Sequence, residues 1–228
     1  MASQRLDRII TPSIAVAGSE QRFEVGRIFC VGRNYAAHVA EMGGSMREPP
    51  FFFTKFAVAA VPNGTRVRYP AGTANFHFEG ELVVAIDKEG SHVQAEQAHE
   101  LIFGYAAGLD MTRRDLQLAA RDQGRPWDTG KNFEQSAPVG DLHRRADIGS
   151  LERGVLELWV NGVVKQRADL AQMIWSTAEI IEHLSRLYRL TPGDLIYTGT
   201  PAGVGPVVAG DRIDVLIEGL SPLSVTIE

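Results

Sequence analysis

The chain has 228 residues, of which 44% are hydrophobic and 22% charged, enough to bury a core as an ordinary globular protein. A formal net charge of -5 and the lack of a Lys/Arg run on any predicted helix face exclude a nucleic-acid footprint, and no stretch approaches the roughly 18 apolar residues of a membrane span. The single cysteine, Cys30, rules out an internal disulfide and reads as a small buried hydrophobe in RIFCV; with no apolar leader in MASQRLDRII, the expected compartment is the cytoplasm.

From about residue 5 to 30, short apolar runs (RII, SIAVA, RIFCV) alternate with turn residues and predict short strands. GRNYAAHVAEMGG follows, with an Ala-rich centre and a Gly43-Gly44 stop, the pattern of one short helix that must dock or move. FFFTKFAVAAVPNGTRVRYP predicts two strands joined by a turn at Pro62-Asn63-Gly64. LIFGYAAGLDMT is a further apolar strand running into a helix, TRRDLQLAARDQG, with Thr112 and Asp115 as its capping box and Gly124 as its stop. Asp110 therefore falls at a strand-to-helix junction.

Asn161-Gly162 in LELWVNGVVKQ signals a type I′ hairpin. A helix is predicted over about 176–189, capped by Ser176 and Glu179, with Ile180, Ile181, Leu184 and Leu187 as its apolar stripe. GDLIYTGT, the glycine-rich PAGVG, DRIDVLIEG and LSVTIE complete a strand-rich C-terminal part. With no repeat and no linker, the expectation is a single domain over 1–228 of α+β class, β-dominated, built around a rolled sheet or barrel.

Within NFHFEGELVVAID, Glu79 and Glu81 stand one residue apart and should share a strand face. At about 5 to 7 Å and an effective dielectric near 20, two such charges repel by roughly 2 to 3 kcal/mol, which calls for a compensating cation. Spacing alone leaves a solvated face as the simpler reading. Against it, LVVAI is apolar on both faces and Asp110 ends a neighbouring strand from which it could reach the same spot. Three converging carboxylates would suit a hard cation such as Mg²⁺ or Mn²⁺, with Ca²⁺ as a further candidate. His77 is expected to pack near them rather than to ligate, and Gly80 to leave room between the two glutamates.

His38 and Glu41 are three apart on the short helix, where a carboxylate can orient an imidazole that activates water; on spacing alone a solvated helix face is the simpler reading. Arg113 and Arg114 oppose the dipole at the start of their helix, a placement that suggests an anionic ligand. TGTPAGVG matches no phosphate-binding glycine motif, and there is no G-x-S-x-G, C-x-x-C or H-E-x-x-H.

VGRNYAAHVAEM, PFFFTKF, HFEGELVVAI, GYAAGLDMTRRDLQ, GRPWDTGKNFEQSAP, IWSTAEIIEHLS and PGDLIYTGTPAGVGPV occur in this order over roughly residues 25 to 217. Together they resemble the fumarylacetoacetate hydrolase family, in its small single-domain branch of acylpyruvate and fumarylpyruvate hydrolases. The resemblance implies a rolled mixed β-sheet and a homodimer. It further implies metal ligation by Glu79, Glu81 and Asp110, a water-activating pair His38 and Glu41 on a lid, Lys131 at the metal, and Arg33, Gln117 and Thr200 against the oxo-acid part of a 2,4-dioxo acid. Phe56, where proline is common, sets Lys55 apart from the family pattern. The implied reaction is metal-dependent C–C hydrolysis. Oxaloacetate decarboxylation, isomerisation or decarboxylation of a catechol-pathway dioate, and non-catalytic oxo-acid binding remain as rivals.

Overall fold

The run Gly80–Ile86 is buried at every position, as its two apolar faces require. It is the third strand from one edge of a six-stranded sheet in a computed structural model that describes residues 11–35 and 48–228. The sheet's longer strands are β1 (Arg27–Gly32), β2 (Phe51–Lys55), β3 (Gly80–Ile86), β4 (Ile102–Leu109) and β7 (Asp194–Tyr197). A second sheet contains β5 (Val155–Val160), β6 (Val163–Asp169), β8 (Arg212–Ile217) and β9 (Leu223–Ile227). The helices that matter below are α1 (Arg114–Asp122), α2 (Asp128–Lys131) and α3 (Thr177–Leu187).

The six-stranded order is His143–Arg144, β4, β3, β7, β1, β2, with β7 parallel to β1 and the other pairs antiparallel. The five-stranded order is β6, β5, β8, β9, Arg66–Val67. This is the expected β-dominated α+β fold with mixed sheets. Side-chain alternation along β3 divides the interior. Leu82, Val84 and Ile86 pack toward β5, β8 and β9, while Val83 and Ala85 pack with Ile28, Cys30, Leu195 and Tyr197 on the other face. Cys30 is fully buried there, as its apolar setting predicts.

Gly80 faces the second sheet: a Cβ there would meet Leu158 Cδ1 at 3.0 Å, and the Gly80 N–H donates to Gln166 Oε1 at 2.9 Å. The small residue makes room for the packing of the two sheets, not for the glutamates beside it.

Local expectations fare unevenly. Asn161 and Gly162 both have positive φ, at 51° and 77°, and close the β5–β6 hairpin as a type I′ turn requires. Ser176 and Glu179 form the predicted reciprocal cap of α3, and Ile180, Ile181 and Leu184 are buried, but Leu187 is 66% exposed because the helix ends there and turns it outward. The Thr112/Asp115 box does not form. Thr112 belongs to a two-residue strand, α1 begins at Arg114 after an N-cap Arg113 without a side-chain bond, and Asp115 instead accepts from Thr73 and Ala74. The segments either side of Pro62-Asn63-Gly64 do not pair with each other. Ala60–Val61 joins Ala137–Pro138, and Arg66–Val67 joins β9, so the turn carries the chain between sheets. Among the described residues no helix is long and apolar enough to cross a membrane.

Candidate metal centre

The β3–β4 ladder ends at the pair Gly80 and Leu109. One step further the same two chain segments pair again in a different sheet, where Phe76–Phe78 joins Thr112–Arg113. Glu79 and Asp110 lie at this seam, held together by the Asp110 N–H donating to the Glu79 carbonyl at 2.9 Å. The predicted continuous strand is thus broken at Glu79, and its side chain and that of Asp110 leave the pleat at the same level. Glu81, the second residue of β3, completes the group. A carboxylate oxygen from each of Glu79, Glu81 and Asp110 lies within 4.8 Å of the others, and all three side chains are buried.

Buried carboxylates need cations or hydrogen bonds. Lys131 at the end of α2 supplies the central one: its Nζ donates to Glu79 Oε2 at 2.7 Å, Asp110 Oδ2 at 2.6 Å and Thr112 Oγ1 at 2.8 Å. Arg114 donates through Nη2 to Glu79 Oε1 and through Nη1 to Gln117 Oε1. The anion that Arg114 was expected to attract is therefore one of the chain's own carboxylates. Lys55, set apart in the sequence by Phe56, is buried beside the same group, with Nζ 2.8 Å from Asp110 Oδ1 and donating to the carbonyls of Met111 and Lys131. Glu81 Oε2 accepts the Gly199 N–H at 2.7 Å. Gly199 has φ of 99°, and a Cβ on it would lie 2.6 Å from Asn34 Cβ, so the glycine in TGTPAG brings that amide to the carboxylate.

Burial, followed by the charges of Asp110 and Glu79, pushes the Glu81 carboxyl well above the ordinary range. Burial opposes the charge on Lys131, but Asp110 and Glu79 outweigh it and raise its pKa. His77 does not face the carboxylates as a ligand. Its Nδ1 accepts from Arg114 Nε at 3.4 Å and its Nε2 bonds Asn75 Oδ1 at 2.8 Å; burial, reinforced by Arg114, brings its pKa down to about 4. It supports the arginine that holds Glu79.

The donor set fits a hard divalent cation. All three side chains offer oxygen, none of the three is cysteine or histidine, and Asp110 Oδ1, though close to Lys55, accepts no hydrogen bond from a described residue.

Arg33, Gln117, Thr200 and Lys131 line the pocket over the carboxylates, together with Phe53, Arg114 and Trp127. Arg33 holds a left-handed backbone, φ 59°, next to Asn34, whose side chain is tied to the carbonyls of Trp175 and Thr198 and to the Trp175 N–H. Arg33 Nε is buried without a hydrogen-bond partner among the described residues. The Thr200 hydroxyl donates to the Gly80 carbonyl and accepts from Gln166 Nε2, so it braces the floor of the pocket. His38 and Glu41 lie outside the described residues. The arginines at the start of α1 pointed to Arg114 in the sequence, whereas Lys55 was set aside there for Phe56, Thr112 was read as a helix cap, and nothing local marked the Gly199 amide.

Residues 27–228 match the fumarylacetoacetate (FAA) hydrolase C-terminal family. The chain belongs to the fumarylacetoacetate hydrolase family. Among relatives in that family, it is 53% identical over 180 residues to fumarylpyruvate hydrolase from Ralstonia sp., covering 79% of this chain and 93% of the relative. It is 40% identical over 201 residues to mitochondrial oxaloacetate tautomerase from Homo sapiens, covering 88% and 91%. Its fold superposes on the crystal structure of fumarylpyruvate hydrolase from Pseudomonas aeruginosa in complex with Mn²⁺ and pyruvate with a TM-score of 0.96, at 49% identity and 97% coverage of each chain.

Proposed function

We propose that this protein is a metal-dependent C–C bond hydrolase that converts fumarylpyruvate to fumarate and pyruvate. One observation carries the reading: a buried Glu79, Glu81 and Asp110 triad with the Lys131 ammonium between two of its members, in a chain 49% identical across nearly its full length to a fumarylpyruvate hydrolase solved with Mn²⁺ and pyruvate. Glu79, Glu81 and Asp110 would hold Mg²⁺ or Mn²⁺. When bound, the cation would supply Lewis-acid polarisation at the oxo-acid end of the substrate.

The chain's own groups account for the rest. Arg114 and the Gly199 amide each occupy one oxygen of Glu79 and Glu81, which fixes the carboxylates before substrate arrives. His38, oriented by Glu41, takes a proton from water as the hydroxide adds to the distal acyl carbon. The C–C bond breaks with its electron pair passing to the pyruvate fragment as an enolate, whose negative charge Lys131 stabilises. Protonation of that fragment's carbon by the imidazolium completes pyruvate and restores His38. Arg33 and Gln117 hold the oxo-acid end at the pocket wall, with Thr200 bracing it from below. The reading takes all 228 residues as a single catalytic domain, acting as a cytoplasmic homodimer on a small dioxo acid.

The test is chromatographic. Purified protein with Mn²⁺ or Mg²⁺ and fumarylpyruvate should release equimolar fumarate and pyruvate, and His38→Ala should abolish the release. Turnover of oxaloacetate or a dioate by the same preparation, with no pyruvate from fumarylpyruvate, would overturn the assignment. Tight binding without turnover of any dioxo acid would make the protein a binding module instead.

A further inference from the structure

Trp127 is used by none of the steps above, yet it stands where the pocket meets the surface. It precedes α2, and its carbonyl accepts the N–H groups of Gly130 at 2.8 Å and Lys131 at 2.9 Å, so its backbone is fixed to the helix that carries the catalytic ammonium. Its ring meets Phe51 edge-on at 5.1 Å and 88°, and lies 5.9 Å from Phe53. Phe53 in turn has Lys131 Nζ 5.1 Å from its ring centre. Trp127, Phe53 and Lys131 line both the pocket over the carboxylates and an adjoining open cleft walled by Phe51, Phe52, Pro126 and Tyr188. The pocket and the cleft therefore adjoin, with the Phe53 and Trp127 rings and Lys131 lining both.

The chemistry of the cleft is one-sided. Its charged groups among the described residues are Asp128 and Lys131, and Lys131 is committed to Glu79 and Asp110. What it offers a ligand is ring surface held in fixed orientation. We propose that Trp127, with Phe53, forms the subsite for the acyl part of the substrate and selects a long, flat, conjugated acyl chain, whose terminal carboxylate stays hydrated at the open mouth. This rests on the acylpyruvate reading and adds to it a residue that sets acyl preference. With the oxo-acid end fixed at the carboxylates, the acyl chain extends away from them along the pocket wall, and the two rings are the apolar part of that wall on the side of the cleft. A planar chain gains contact on an aromatic face without ordering cost in the protein, because Phe51 and the α2 backbone already hold the indole.

The experiment compares kcat/KM for fumarylpyruvate with that for acetylpyruvate, which lacks the chain, in wild type, Trp127→Leu and Trp127→Phe. Loss of an apolar wall contact changes such discrimination by roughly tenfold or more. Trp127→Leu should lower the fumaryl-to-acetyl ratio about tenfold, and Trp127→Phe should keep it within about threefold. Phe51→Leu, which removes the ring behind the indole at a partly exposed edge position, should lower the ratio about threefold and serves if Trp127→Leu does not fold. An unchanged ratio, including a parallel loss on both substrates through displacement of Lys131, overturns the subsite. Failure of wild type to hydrolyse either acylpyruvate overturns the function it rests on, and the two failures are separate readings of one data set.

Discussion

Replacing Lys55 by Met tests whether the buried charges act as one unit. Met keeps most of the apolar stem and volume, so the packing penalty is small. What is lost is an ammonium 2.8 Å from Asp110 Oδ1 and its donations to the Met111 and Lys131 carbonyls, all in a residue 3% exposed. At 2.8 Å and an effective dielectric near 20 the gross attraction is about 6 kcal/mol, most of it offset by desolvation. Asp110 keeps its bond to Lys131, but the three buried carboxylates are left facing two cations, Lys131 and Arg114, and deleting one partner of a buried pair costs about 3–5 kcal/mol. For a chain of this size that corresponds to a drop in Tm of roughly 6 to 20 °C in the absence of divalent ions. Removing a cation from beside the carboxylates also favours a divalent one, so saturating Mn²⁺ should raise the Tm of Lys55→Met by more than it raises that of wild type. Calorimetric melting with and without Mn²⁺ measures both terms. A loss under about 1 kcal/mol, or a Mn²⁺ shift no larger than wild type's, would refute the idea that Lys55 balances the metal carboxylates.

Glu81→Ala should weaken Mn²⁺ binding at least about 100-fold in titration calorimetry, since Glu81 is one of three ligands in the oxygen set. Gly199→Ala should destabilise the protein by about 2 kcal/mol or more in urea denaturation, because φ of 99° and a Cβ 2.6 Å from Asn34 strain it, and should weaken Mn²⁺ binding by moving the amide that fixes Glu81. The hydrogen bond from Arg212 holds the Asp214 carboxyl below its ordinary value of 3.8. Its stabilisation is present above that value and disappears as pH falls through the native pKa. The stability gap between wild type and Asp214→Asn should therefore be present at neutral pH and close on acidification.

Reading NFHFEGELVVAID as a strand brought out both glutamates and their need for compensation, because side-chain alternation is local. It could not show the break at Glu79, which arises only when the strand and its partner exchange one sheet for another together. Asp110 was visible as a junction residue, but its approach to Glu79 depends on the Gly80 and Leu109 register, a pairing across 29 positions. Lys55 was discounted for the phenylalanine after it. In the fold, that phenylalanine's N–H donates to Asn132 Oδ1 at 2.7 Å, a bond proline could not make, and it ties the end of β2 to the end of α2, bringing both lysines to one place. Thr112 looked like a helix cap because Ser/Thr before an apolar run usually is one; here its hydroxyl faces Lys131, and the helix starts two residues later.

The exchange of sheets at Glu79 and Asp110 separates two kinds of selection on the chain. The apolar alternation that secures the fold runs along β3 and β4 below the seam, while Glu79 and Asp110 project from the two residues where neither ladder claims them, with Glu81 one step inside β3. Substitutions at the seam therefore act first on the buried charges and leave the apolar packing along β3 and β4 in place.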